Sequence, residues 1–180
     1  MNDIITLSLL LEGPKHGYRL KQEAAMFSSE QQLHNNTIYP LLKRFLKNGW
    51  ITQEQADGER GQTRLLYALT DAGRQVLTEK LTDYTEADAA NPHAFLLRVG
   101  LFGLLDTPTR QRILELRDNH LASRLNRLNQ IAQSHIIEGW PASSMQHVTK
   151  EIRLERKWIA QLMTQIQSKE TPHAIPDPLE

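Results

Sequence analysis

The stretch from Ile38 to Gly49 limits the fold of this chain more than any other part of the sequence. Its apolar residues recur at intervals of three and four, which is the spacing of a helix with one buried face. The helix is expected to end at Asn48-Gly49, because glycine accepts the left-handed conformation common just beyond helix C-termini. The pattern predicts an amphipathic helix over residues 37–48, with a buried face made of Ile38, Leu41, Leu42, Phe45 and Leu46.

Pro40 lies inside this pattern, where a proline would ordinarily break a helix. If Asn36 or Thr37 is the N-cap, however, Pro40 falls in the first turn, where an N–H has at most a weak partner to lose. We therefore expect the proline to mark and stiffen the helix start. The opposite face carries Lys43 and Lys47, in a chain whose formal net charge is zero. Affinity for an anionic partner would thus have to come from a local patch.

The neighbouring segments give this helix a context. Two short helical patterns precede it and are separated by Gly13-Pro14. Two strand-like segments follow it, joined by a polar, glycine-containing tip, and Thr70 is placed to cap another helix. Three short helices followed by a hairpin is the order of a winged helix-turn-helix. We predict a mainly α fold, with an N-terminal winged-helix domain and its two-stranded wing at residues 1–90.

Residues 91–170 have a different pattern. Residues 93–105 predict a short apolar helix, and Asp106 or Thr107 is placed to cap a long helix with near-heptad apolar spacing. After a corner at Gly139-Trp140-Pro141, Ser143 or Ser144 begins a last long helix. The apolar stripe of the first long helix comprises Leu114, Leu121, Leu125, Leu128 and Ala132.

Long amphipathic helices cannot bury such a stripe alone. We therefore predict an antiparallel long-helix dimerisation domain over residues 91–170, with packing inside one chain as the alternative. Residues 171–180 contain three prolines and predict a disordered tail.

Several chemistries have no support in the sequence. The absence of cysteine excludes disulfides and thiolate zinc sites, and no two histidines are three or four residues apart, so we expect no metal. Neither a phosphate-binding loop nor a nucleophile motif is present, so we expect no enzyme and no cofactor. The apolar run Ile4–Leu11 is shorter than the roughly 20 residues that cross a bilayer, and it makes a poor signal peptide. We predict a cytoplasmic protein that does not enter a membrane.

Double-stranded DNA is the partner that the third helix and the hairpin tip would suit. Asparagine can pair with adenine and threonine can contact a thymine methyl, whereas lysine and arginine suit phosphates. Asp57 and Glu59 in the wing oppose phosphate binding, so a protein–protein interaction module without DNA binding is the alternative. The candidate DNA-binding residues are Asn35, Asn36, Thr37, Tyr39, Pro40, Lys43, Arg44, Lys47, Arg60, Gln62, Thr63 and Arg64. His34 could touch phosphate or be a plain loop residue, and for Tyr18 packing is favoured over contact with DNA.

Three motifs in order resemble the PadR family of transcriptional regulators. The first, T-I-Y-P-x-L-x-R-L-x-x-x-G-x-I, matches from Thr37 to Ile51, with Phe45 in place of a leucine. The second, G-P-x-H-G-Y-x-L, matches GPKHGYRL at residues 13–20, and the third, Y-x-L-T-x-x-G-x-x-x-L, matches YALTDAGRQVL at residues 67–77. The C-terminal region is similar, more loosely, to the larger PadR- and AphA-like subgroup, which has a long helical domain.

We interpret the chain as a repressor that binds a near-palindromic operator. The resemblance implies that this repressor is a homodimer. It also implies a small effector such as an aromatic acid, which in the phenolic-acid regulators binds between the two domains. A base for the carboxylate and a ring for stacking could come from His147, Arg153, Lys157 and Trp158. The simpler explanation of these four residues is surface charge and one anchoring indole.

Overall fold

The computed structural model describes residues 1–26, 35–57 and 63–168. It divides into two compact units, Met1–Asp83 and Tyr84–Glu180. Phe27, His34, most of the predicted hairpin tip and the predicted tail at 171–180 lie outside the described residues. In the described part of the chain, no helix combines the length and the apolar character needed to cross a membrane.

The described residues of the first unit form four helices and three strands. The helices are α1 (Asn2–Leu9), α2 (Gly17–Met26), α3 (Asn35–Lys47) and α4 (Asp71–Thr82), with a 3₁₀ turn at Leu10–Glu12. The strands are β1 (Lys15–His16), β2 (Ile51–Asp57) and β3 (Thr63–Leu69). The predicted winged-helix order and the mainly helical fold are confirmed.

The sheet of this unit has one strand more than predicted. Its order is β1-β3-β2, and both pairings are antiparallel. The hairpin register runs from Ile51 opposite Leu69 to Asp57 opposite Thr63. The extra strand β1 is only two residues long and pairs Lys15 with Tyr67. No local pattern could reveal it, because its hydrogen bonds are made to a strand some fifty residues away.

Helix α3 buries the face that its spacing predicts. Ile38, Leu42 and Phe45 are fully buried, together with Leu7 of α1 and Leu20 of α2. This core fixes α3 against the rest of the unit and leaves its other side in water. Leu77 and Leu81 extend the same core into α4.

The predicted position of Pro40 in the first turn of α3 is wrong. The helix begins at Asn35, so Pro40 lies in the second turn. Because proline has no N–H, the helix lacks the bond that would reach the carbonyl of Asn36. The Pro40 ring is exposed, so this loss falls on the side that water can reach. Burial of Ile38 and Phe45 on the opposite side of the helix stabilises α3 and offsets the loss of this one hydrogen bond.

The part of the second unit that the structure describes, residues 84–168, forms four helices and a 3₁₀ turn. These are α5 (Glu86–Ala90), α6 (Pro92–Gly100), the turn at Phe102–Leu104, α7 (Thr107–Ser134) and α8 (Gly139–Ser168). The core is formed by Phe95, Ile113, Leu114, Leu121, Ile152 and Ile159.

Three sequence expectations for this unit need correction. The predicted helix at 93–105 ends at Gly100 and is followed by a separate turn. α5 was not expected, although Thr85 and Asp88 form a capping box at its start. α8 begins at Gly139 rather than at Ser143 or Ser144, because a proline in a first turn is compatible with a helix and Pro141 therefore marks no corner.

Helices α7 and α8 run antiparallel and pack on each other. Asp106 caps α7 by accepting from the backbone N–H of Thr109 at 2.9 Å, as one of the two predicted caps. Two arginine–carboxylate pairs join the helices, Arg117 with Glu155 and Arg156 with Asp118. Leu114 and Leu121 are buried within this one chain, whereas Ala132 at the far end of the stripe is exposed. Packing inside the chain therefore covers the first half of the stripe.

Candidate nucleic-acid interface

The exposed side of α3 is basic and carries no carboxylate. Tyr39, Pro40, Lys43 and Lys47 are all exposed, opposite the buried face. The sequence of α3 contains no acidic residue. Among the described residues, no carboxylate forms an ion pair with Lys43 or Lys47.

The C-terminal end of α3 is fixed by a Schellman motif. The N–H of Trp50 donates to the carbonyl of Phe45 at 2.9 Å, and the N–H of Gly49 donates to that of Leu46 at 3.1 Å. Gly49 has φ +71°, which confirms the predicted left-handed glycine. The rings of Phe45 and Trp50 lie 5.4 Å apart, which is the apolar contact that usually accompanies this motif.

Helix α4 is attached to the same junction. The Thr70 hydroxyl accepts from the Gly73 N–H at 3.0 Å, which confirms the predicted cap, and donates to the carbonyl of Gly49 at 2.7 Å. A Cβ at Gly73 would lie 1.9 Å from the carbonyl oxygen of Trp50. The threonine and glycine of the third motif therefore let α4 approach the end of α3.

Helix α2 begins beside the exposed face of α3. A Cβ at Gly17 would lie 3.2 Å from the ring of Tyr39 and 3.4 Å from that of Tyr67, so the glycine admits both rings. Tyr18 is 65% exposed and its hydroxyl accepts from the amide of Gln22 at 3.0 Å. The expectation that Tyr18 is mainly a packing residue is wrong, because most of its side chain lies in solvent.

Burial and neighbouring charges shift the pKa values of two groups at this end of α2, Lys15 and Glu23. Lys15 is only 5% exposed, and its Nζ lies 2.5 Å from Glu12 and 2.6 Å from Glu23. Burial alone would lower the pKa of Lys15, but the hydrogen bonds to Glu12 and Glu23 outweigh it and raise that pKa. Hydrogen bonds from Lys15 and Arg19 lower the pKa of Glu23. The network fixes α2 on β1, and His16 contacts the Leu65 carbonyl at 3.2 Å.

Arg44 differs from the two lysines of α3. Its Nη2 donates to Oδ1 of Asp3, at the start of α1. The other oxygen of Asp3 lies 3.2 Å from the Lys80 ammonium on α4. Arg44 therefore contacts a carboxylate of its own chain, although the sequence alone grouped it with the phosphate-binding residues.

The remaining predicted contacts can be placed only in part. Arg64 is exposed on β3, where its backbone pairs with Ala56 on β2. Asn35, Asn36 and Thr37 form the first turn of α3 and Thr63 begins β3, but their side chains lie outside the described part of the structure. Arg60 and Gln62 lie outside the described residues altogether.

The four predicted effector residues do not line one pocket. His147 is exposed and pairs with Glu151, and it precedes Trp158 by about 16 Å along α8. The Trp158 ring contacts Phe95 edge-on at 6.0 Å. Arg153 alone of the four lines a groove of about 330 Å³ between α7 and α8, whose apolar members include Leu128 and Met145. The structure thus does not group these four side chains.

Two features of the interface were missed from the sequence. The exposed Tyr18–Gln22 pair has a sequence signal, since the two residues are one helical turn apart beside a glycine. The Asp3–Arg44 contact has none, because its partners are separated by 41 residues.

Comparison with known proteins identifies a family match in the first unit and several similar solved structures. Residues 6–79 match the model of the transcriptional regulator PadR-like family. A transcriptional regulator from Clostridium thermocellum is 32% identical, covering 43% of this chain and 76% of that one, with a TM-score of 0.39. A PadR family transcription regulator from Clostridium difficile is 26% identical over 44% of this chain and 81% of that one, with a TM-score of 0.40. The Bacillus subtilis PadR, in complex with operator DNA, is 19% identical over 91% of this chain and 98% of that one, with a TM-score of 0.41.

Proposed function

Since the chain belongs to the PadR-like family of transcriptional regulators through residues 6–79, we propose that it binds DNA in a sequence-specific manner and regulates transcription from the cytoplasm. The observation that carries this proposal is the exposed, carboxylate-free basic face of α3. Helix α3 lies along base-pair edges in the major groove, with Lys43 and Lys47 directed to phosphates. Asn35, Asn36, Thr37 and Tyr39, at the N-terminal end of α3, face the bases.

Further contacts come from the segments beside α3. Arg60, Gln62, Thr63 and Arg64 of the wing reach the DNA backbone or the minor groove. Tyr18 and Gln22 extend the interface onto α2, where neutral donors suit a phosphate oxygen next to the helix that enters the groove.

The proposed assembly is a homodimeric repressor on a near-palindromic operator. The second unit exposes apolar side chains that water does not favour, among them Leu154 at 71% exposure and Leu96 at 52%. Two copies of the chain pair through this unit, and each protomer's α3 binds one half-site, with the half-sites one helical turn of DNA apart or a multiple of it.

A small effector such as an aromatic acid would act by binding with unequal affinity to two conformations of the protein, one with high and one with low affinity for DNA. Of the predicted effector residues, Arg153 has the best support, because it lies at a groove with an apolar lining. Thermal-shift and calorimetric titration with a set of aromatic acids tests this part, and the absence of binding would remove it.

Selection of bound sequences from random DNA with the purified protein tests the central proposal. A symmetric motif is expected. Binding should weaken steeply with salt, and Lys43→Ala should reduce the slope of log K against log salt by about one. Ser8→Ala, in α1, is a control variant expected to keep the slope. A protein that shows no motif and no salt dependence would instead favour the protein–protein interaction module.

A further inference from the structure

The contact between Asp3 and Arg44 belongs to a closed ring of side chains. The guanidinium of Arg44 lies 5.4 Å from the centroid of the Phe45 ring, and Phe45 contacts Trp50 at 5.4 Å. The Lys80 ammonium lies 5.8 Å from the Trp50 centroid and 3.2 Å from Asp3, which accepts from Arg44. We call these five residues the Asp3 ring.

The ring joins α1, α3, α4 and the residue that precedes β2. Asp3 lies in the first turn of α1, and Lys80 lies in the last turn of α4. Arg44 and Phe45 are on α3 itself, and Trp50 is the residue before β2. A cation that contacts both a carboxylate and an aromatic ring is held in position by two interactions. A single exposed ion pair holds its cation by one weak interaction only.

From this geometry we infer that Arg44 is a positioning residue, which sets the orientation of α3 through Asp3 and does not bind phosphate. Lys43 and Lys47 then carry the phosphate contacts. The inference rests on the proposed function, since it assigns roles within a DNA-binding helix.

The charges in the ring explain why Asp3 is placed there. Arg44 and Lys80 are two cations that approach one another from α3 and α4, and a carboxylate between them removes their repulsion. Arg44 is 48% exposed, so the bond to Asp3 is open to competition from solvent and salt. The contact of the guanidinium with the Phe45 ring limits this competition, because it adds a second attraction at the same position.

Two roles for Arg44 give opposite expectations for Asp3. If Arg44 binds phosphate, Asp3→Asn releases it and removes a negative charge, so DNA binding should tighten. If Arg44 positions α3, Asp3→Asn loosens the helix and binding of the preferred sequence should weaken. Glu79→Gln is a matched control, because it removes the same charge from α4 next to Lys80 and keeps an acceptor for the amide of Gln75.

The experiment uses the full chain and two duplexes, one of random sequence and one recovered by selection. Arg44→Gln and Asp3→Asn are each expected to weaken binding of the selected duplex by about three- to tenfold, and the double variant by no more than the worse single variant. On the random duplex at low salt, Arg44→Gln should leave the slope of log K against log salt unchanged, whereas Lys43→Ala lowers it by about one. Circular dichroism and the fraction of active protein establish that each variant is folded.

Tighter binding by Asp3→Asn, or a slope reduced by about one in Arg44→Gln, would overturn the inference and return Arg44 to the phosphate-binding set. If the wild-type protein binds neither duplex, the proposed function fails before the role of Arg44 is reached. Additive effects of the two substitutions would also contradict coupling through the ring.

Discussion

Among the glycines that the structure describes, Gly73 has the least room for a side chain. An added Cβ would lie 1.9 Å from the Trp50 carbonyl oxygen and 2.8 Å from Leu69. The carbonyl also accepts from the N–H of Thr70, so it cannot rotate away without losing that bond. We expect Gly73→Ala to lower the free energy of unfolding by about 3 kcal/mol, despite the better helix propensity of alanine. Urea denaturation followed by circular dichroism measures this.

Gly49 is the matched comparison, because glycine is favoured there by the backbone conformation and not by a lack of space. It has φ +71° and nothing within 4 Å of an added Cβ. Gly49→Ala should therefore cost only about 1 kcal/mol, and Gly49→Asn less, since asparagine tolerates the left-handed region. Equal losses at Gly49 and Gly73 would contradict the steric account of Gly73.

At the scale of elements, the attachment of α2 to β1 depends on ionised groups and therefore on pH. The folded-state pKa of Glu23 is below its usual 4.5, owing first to hydrogen bonds from Lys15 and Arg19. Its stabilising contribution is therefore complete above pH 4.5 and is lost as the pH falls through the folded pKa. The pKa of Lys15 is raised in the folded state, so its dependence on pH has the opposite sign. The stabilising contribution of Lys15 is complete below pH 10.5 and is lost as the pH rises through its folded-state pKa.

Glu23→Gln tests the acid limb. The stability difference between the wild type and Glu23→Gln should be constant from neutral pH to about pH 5 and should close as the pH falls further. Urea midpoints measured across this range give the difference directly. A constant difference down to pH 2 would show that the network does not depend on the charge of Glu23.

The two ion pairs between α7 and α8 should differ in strength although both are bidentate. Arg117 is 4% exposed, bonds Glu155 at 2.8 and 2.9 Å, and donates to the carbonyl of Ala89. Arg117→Ala leaves Glu155 without its cation and should cost about 3 kcal/mol. Arg156 pairs with Asp118 and is more exposed than Arg117. We expect Arg156→Ala to lower the free energy of unfolding by less than about 1 kcal/mol. Urea denaturation of both variants compares them, and equal costs would contradict this order.

Local patterns predicted the elements that local interactions stabilise. The stripe of α3, the left-handed Gly49 and the Thr70 cap involve residues within one or two helical turns, so their spacing is visible in the chain. Strand β1 and the Asp3 ring were not predicted, because their contacts join distant segments. The predicted start of α3 is too late, because proline is common in the first turn of helices and the prediction placed Pro40 there. The buried face of α3 stabilises the helix enough to offset the one hydrogen bond that Pro40 removes in the second turn.

At the scale of the whole molecule, the proposed homodimer would cover exposed apolar residues of the second unit. Leu154 is the most exposed leucine of α8, although the helix buries Ile152 and Ile159 on its other side. If Leu154 lies in the interface, Leu154→Glu places a charge there and should shift the protein from dimer to monomer in sedimentation velocity. Ala160→Glu adds the same charge to an exposed position on another face of α8 and should leave the dimer intact.

The same variant connects assembly to DNA binding. A dimer that places two copies of α3 on one duplex displaces counterions at two half-sites, whereas a monomer displaces those of one. The slope of log K against log salt for Leu154→Glu should therefore fall to about half the wild-type value, and Ala160→Glu should lose at most a small part of it. A monomeric Leu154→Glu protein with an undiminished slope would mean that one α3 makes all the phosphate contacts. The twofold arrangement would then have to be abandoned, even if the chain binds DNA.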